Sequence, residues 1–148
     1  MRGRWAALLL AIAIASLAFG AVPAGAAVEA KKTGTPVLVE VGDTAGTTAP
    51  MTMTVTPTSA PAGKVTFTVK NSGTVIHEMV ILKTDTPYDQ IRVVKDEISE
   101  AAAVGEIADI PKGKSKSGTF KLKAGSYVLV CNIKKHYQLG MRAPFTVT

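Results

Sequence analysis

The chain has 148 residues and a formal net charge of +6. That length fills one domain with a proper core and excludes two of ordinary size. Aromatics make up only 5% while Val and Thr are frequent, which favours strands; the lysines are scattered without aromatic interleaving, which excludes a nucleic-acid-binding surface.

Residues 1–26 have the form of an export signal. Arg2 and Arg4 precede an apolar run from Trp5 to Phe19, and Ala24-Gly25-Ala26 follows Pro23 as a small-residue cleavage site. No charge falls in residues 5–28, so the same run is also long enough for a retained membrane anchor. A membrane is a partner only if the segment is retained. Under either reading the folded part is exported, at the periplasmic or extracellular face of the cell envelope. Residues 27–34 read as a flexible leader and residues 35–148 as one domain.

Pro36 to Val41 reads as a first strand and Gly42 to Pro50 as a loop by composition. Met51 to Thr56 alternates apolar and polar, the mark of a half-buried strand. Its Met51 and Met53 are read as core filling rather than as a methionine-rich metal site. After a turn region from Pro57 to Gly63, Val65 to Val69 alternates again and stops at Asn71-Ser72-Gly73. His77-Glu78 opens the apolar run Met79 to Leu82. The next stretch, Thr84 to Gly105, is the most charged and least strand-like. Ile91, Val94 and Ile98 stand at helical spacing there, so a short helix or irregular insertion is expected around residues 86–104. Ile107 to Ile110 is a short strand, Pro111 to Ser117 a basic turn, and Thr119 to Leu122 and Tyr127 to Cys131 two strands broken at Lys123-Ala124-Gly125. The sum is an all-β chain, an antiparallel Greek-key β-sandwich.

The chemistry gathers in Tyr127 to Val147. Cys131 is the one cysteine of the chain. His136 and then Met141 follow, each after four intervening residues. The other histidine, His77, lies far upstream. A single buried Cys is usually a small hydrophobe, and an isolated His a surface or satisfied core residue. Here the only Cys and both His fall together with a Met, and outside the cytoplasm a lone thiol is an oxidation liability unless buried or ligated. One thiolate, two imidazoles and a weak thioether are the ligand set of a blue-copper electron-transfer site. Gly140 gives the chain freedom for a tight turn before Met141. Lys134, Lys135 and Arg142 flank His136 as a basic rim suited to an acidic partner surface.

The chain resembles the small exported cupredoxins of the plastocyanin/azurin family over about Pro36 to Thr148. The matching pieces are Ala62 to Phe67, Asn71 through His77-Glu78, Tyr127 to Asn132, His136-Tyr137 and Gly140-Met141. The resemblance implies a β-sandwich with one copper ion at one end, ligands His77, Cys131, His136 and Met141, and one-electron transfer through the His136 edge. Many relatives have Gly where this chain has Lys135, Pro-Gly where it has Ala124-Gly125, and Asn where it has Glu78. A backbone N–H at Glu78 can still reach the sulfur.

The expected function is that of a monomeric one-electron carrier between redox proteins, cycling Cu(I) and Cu(II). The alternative is an extracytoplasmic copper chaperone or store using the same ligands. An enzyme is not expected. A Cys131–His136 nucleophilic pair would need an orienting third group and an oxyanion hole, which nothing in the sequence marks.

Overall fold

A computed structural model describes residues 34–48 and 50–148. The expected export segment and all but the last residue of the leader lie outside the described residues. Among the described residues eleven strands form: β1 (Thr35–Asp43), β2 (Met51–Thr56), β3 (Ser59–Ala60), β4 (Gly63–Asn71), β5 (His77–Lys83), β6 (Val93–Val94), β7 (Glu97–Ile98), β8 (Ala103–Ile110), β9 (Ser115–Leu122), β10 (Gly125–Val130) and β11 (Arg142–Val147). One sheet runs β2-β1-β4-β9 and the second β3-β11-β10-β5-β8, with β6-β7 as a separate small hairpin.

The alternating strands do what period two demands. Met51, Met53 and Val55 face inward while Thr52, Thr54 and Thr56 face water. Val37, Val39 and Val41 of β1 and Val65, Phe67 and Val69 of β4 complete that inner face. From the opposite sheet come Met79, Ile81, Leu129 and Phe145, with the Phe67 and Phe145 rings edge to face at 5.2 Å. The inner core also contains Cys131 and Met141.

The sheets are mixed rather than purely antiparallel. β1 pairs antiparallel with β2 but parallel with β4, and β11 pairs parallel with β3. The reason is a change of sheet. After β2 the chain crosses to pair briefly with β11 as β3, then returns along the other side of β1 as β4. Alternation within a strand says which face is buried and nothing about the direction of its neighbour.

β5 and β10 behave differently. Their runs Met79 to Leu82 and Tyr127 to Val130 are apolar without alternation, and every residue in them is buried. Val80, Leu82, Val128 and Val130 point away from the inner core into a second cluster with Ile98 and Tyr137, closed over by Ile91 and Val93. A sheet covered on both faces needs continuous apolar strands. The charged stretch after β5 is thus a roof over the outer face of the second sheet.

The helix expected around residues 86–104 does not form; the irregular alternative is what the chain adopts. Lys95 and Asp96 take left-handed backbone conformations, φ +53° and +71°, and fold β6 onto β7 as a hairpin. Two successive positive φ values are turn geometry and stop a helix. Ile98 is buried, but Val94, on the same nominal helical face, is 54% exposed. β8 then begins at Ala103, earlier than the short strand expected from Ile107.

Candidate metal centre

His77 is the first residue of β5, paired across to Ile110 of β8 with an irregularity in register just after it. Asn71, at the end of β4, shapes the approach. Its side-chain amide donates to the carbonyls of Val75 and Ile110, both at 2.8 Å, and its oxygen accepts from the Gly73 N–H at 2.8 Å. A buried amide with all these groups paired is a rigid bracket. It presses Gly73 so closely against the end of β1 that a Cβ there would lie 2.1 Å from Asp43 Oδ2 and 2.9 Å from His77 Nε2. The Asp43 carboxylate therefore reaches His77 Nε2 at 3.1 Å, with both side chains sealed from solvent.

Cys131 follows β10 directly, and its N–H donates to the Met141 carbonyl at 3.0 Å. The loop between them is a chain of short backbone bonds: His136 N–H to the Ile133 carbonyl, Leu139 N–H to that of Lys135, Gly140 N–H to that of Tyr137, and Met141 N–H to that of His136. Two positions take positive φ. Gly140 is at +115°, and a Cβ there would sit 2.6 Å from the Met51 carbonyl oxygen. Lys135 is at +72°, a conformation that suits the Gly found in many relatives and that a side chain adopts at some cost. Lys135 is held there by its N–H bond to the Asp96 carbonyl in the roof.

The roof grips this loop at two further points. Tyr137 Oη donates to the Tyr88 carbonyl and accepts from the Ile91 N–H. The Asn132 side chain accepts from the Ile98 N–H and donates to the Ile98 carbonyl and to Glu100.

Three of the four expected ligands converge. His77 Nδ1 lies 3.2 Å from His136 Nδ1, which lies 3.3 Å from Cys131 Sγ. One donor atom from each residue falls within 4.8 Å of the others, and all three residues are buried. The two rings meet edge to face, 5.1 Å between centroids. The fourth, Met141, is fully buried in the same inner core, and its backbone bonds to both Cys131 and His136.

The electrostatics suit a cation that is not part of the chain. Burial pulls both imidazoles toward the neutral form, the form that offers a lone pair; for His77 the Asp43 carboxylate pushes back, and for His136 the neighbouring His77 adds to the downward pull. Burial pushes the Cys131 thiol up to about 12, with the Glu78 charge adding and the N–H groups of Glu78 and Ile133 opposing. The Glu78 side chain turns aside to accept the Asn132 N–H at 3.0 Å. A thiol this hard to ionise becomes a thiolate only when a metal displaces its proton. His136 Nε2 is buried without a hydrogen-bond partner among the described residues, so a ligand role at Nδ1 breaks no contact seen on the far side of that ring. A soft thiol and two neutral imidazoles buried together fit a transition-metal ion and suit copper.

Sequence reasoning missed Asp43, placed in a loop by composition, and the bracketing role of Asn71. It also placed Arg142 in a solvent rim. Instead the Arg142 guanidinium lies 5.0 Å from the Tyr137 ring centre and donates to the Tyr137 carbonyl. Lys134 and Lys135 are exposed.

The sulfocyanin (SoxE) domain profile matches residues 33–148. No curated protein sequence matches the chain. Among solved structures the chain resembles reduced auracyanin from the photosynthetic bacterium Roseiflexus castenholzii, at 23% identity and a TM-score of 0.54, covering 78% of this chain and 98% of that one. Rusticyanin from Thiobacillus ferrooxidans is similar at 22% identity and 0.55, covering 78% and 79%. Auracyanin B gives 24% identity and 0.53, covering 79% and 91%. At these identities the structural likeness establishes the fold, and the profile establishes the family. The chain has the cupredoxin fold and belongs to the sulfocyanin (SoxE) domain family.

Proposed function

We propose that the protein is a one-electron carrier that holds one copper ion with His77, Cys131 and His136 and, more weakly, Met141. The observation that carries this reading is the meeting of His77 Nδ1, His136 Nδ1 and Cys131 Sγ in one buried pocket. Copper bound there supplies a Cu(I)/Cu(II) couple. The chain's own contribution is to keep water out, keep both imidazoles neutral, and keep the donors in place while the charge changes. Two sheets, the Asn71 bracket and the roof bonds to Tyr137 and Asn132 hold them. A site that moves little on redox change suits electron transfer rather than bond-making chemistry.

The partners in this reading are extracytoplasmic redox proteins, with exposed Lys134 and Lys135 beside the loop suited to an acidic surface. Salt weakens such steering beyond ~8 Å at physiological ionic strength. The location follows from the export-like pattern of residues 1–26. Burial of all three donors favours a carrier over a copper chaperone, which must expose its metal to hand it on.

The visible and electron-spin-resonance spectra of the Cu(II)-loaded protein test the reading. An intense thiolate-to-copper band is expected, and Cys131→Ser should abolish it; a band that survives the substitution refutes the ligand set. Electron self-exchange much faster than copper exchange is expected, and the reverse order would assign the protein to copper handling.

A further inference from the structure

We propose that Asp43 is a positioning residue for the metal centre, whose buried carboxylate fixes His77 as the Nε2–H tautomer, aims its Nδ1 lone pair at the other donors, and favours the more oxidised state of a bound ion. The proposal rests on the copper reading above, but its first test does not require copper.

The geometry is built rather than incidental. The carboxylate accepts from the N–H groups of Gly46 at 2.9 Å, Thr74 at 2.7 Å and Val75 at 3.3 Å, from the Thr74 hydroxyl, and from His77 Nε2. Every partner is a donor, so the arrangement admits a carboxylate and disfavours its protonated form. Among the described residues no Lys or Arg pairs with it. Among the described residues its negative charge is met by hydrogen-bond dipoles, and the ring bonded to it is His77. Gly73 is required for that approach, because any side chain there would occupy the space between carboxylate and imidazole.

The consequence follows from proton bookkeeping. A neutral imidazole carries one N–H. With an acceptor fixed at Nε2, the proton stays there and Nδ1 faces His136 Nδ1 and Cys131 as a lone pair. Carboxylate–histidine pairs of this kind orient metal ligands and raise their basicity. A fixed negative charge one ring away from a cation stabilises its higher oxidation state. Among the described residues His136 has no such partner: its Nε2 is buried and unpaired there. The tuning is thus confined to one of the two imidazoles.

The experiment compares the full chain with its Asp43→Asn, Asp43→Ala and Thr74→Val variants. Long-range proton–nitrogen correlation spectra of the metal-free, nitrogen-labelled proteins read the His77 tautomer. Only Nε2–H is expected in the parent, in D43N and in T74V; a mixture is expected in D43A. The D43N amide can turn its nitrogen toward the Thr74 hydroxyl, which then accepts, and leave its oxygen on His77. T74V reports on loop damage alone. With copper bound, D43N should keep its colour and shift the ratio of Cu(I) to Cu(II) affinity about tenfold or more toward Cu(I), and D43A should bind copper about 10–100-fold more weakly. The same tautomer state in all four proteins, pure or mixed, overturns the proposal, and an unchanged affinity ratio in D43N overturns its electrostatic half. Failure of the parent to bind copper would sink the metal reading, while the metal-free spectra would still decide whether Asp43 sets the state of His77.

Discussion

His77 is held from behind by a side chain, and His136 is held by its own backbone. The first imidazole has a charged acceptor on its far nitrogen, an asparagine bracket beneath it and a glycine that makes room for both. The second has no partner on its far nitrogen among the described residues. It is placed by short turns in the loop and by the roof bonds of its neighbours Lys135 and Tyr137. Damage to the first region should therefore change what the imidazole is electronically. Damage to the second should change how firmly the loop is held while leaving the donors chemically alike.

The substitution expected to do most is Gly73→Ala. Its Cβ would drive Asp43 off His77, costing about 1–3 kcal/mol in stability and about 10–100-fold in copper affinity. Thermal unfolding and copper titration check both figures, and an unaffected affinity would erase the contrast between the two imidazoles. Tyr137→Phe should do less. It removes one donor and one acceptor to the roof, a loss of about 1–2 kcal/mol. Hydrogen exchange at the Ile91 amide should quicken while the charge-transfer colour stays; a lost colour would mean the roof sets ligand geometry directly. Met141→Leu should do least to stability, below ~1.5 kcal/mol for a swap of similar volume, with copper retained and the potential raised. A metal-free, colourless variant would show that the thioether holds the ion more strongly than its assigned weak role.

Much of this was legible in the residues themselves. Alternation located β2 and β4 and assigned Met51 and Met53 to the core. A single Cys, two His and a Met at suggestive intervals pointed to a shared pocket, and the structure gathers three of them with the fourth in the same core. The failures have physical causes. Helical spacing of Ile91, Val94 and Ile98 was coincidence, because the turn at Lys95-Asp96 uses positive φ at residues that do not advertise it. Parallel pairing of β1 with β4 depends on a change of sheet, which no local pattern records. Asp43 stands 34 positions from His77, in a stretch whose small polar composition signals only a loop. Arg142 looked like a surface charge because its stacking partner, Tyr137, is set by the fold of the loop.

The covered outer face of the second sheet carries a hazard for anyone trimming the molecule. The stretch between β5 and β8 looks like a dispensable surface insert, since it is charged and mostly irregular. Excising it would bare Val80, Leu82, Val128 and Val130 together, an adhesive apolar stripe of the kind that seeds aggregation. A minimised version should retain Ile91, Val93 and Ile98, or replace the stripe with polar residues, if it is to stay dispersed at high concentration.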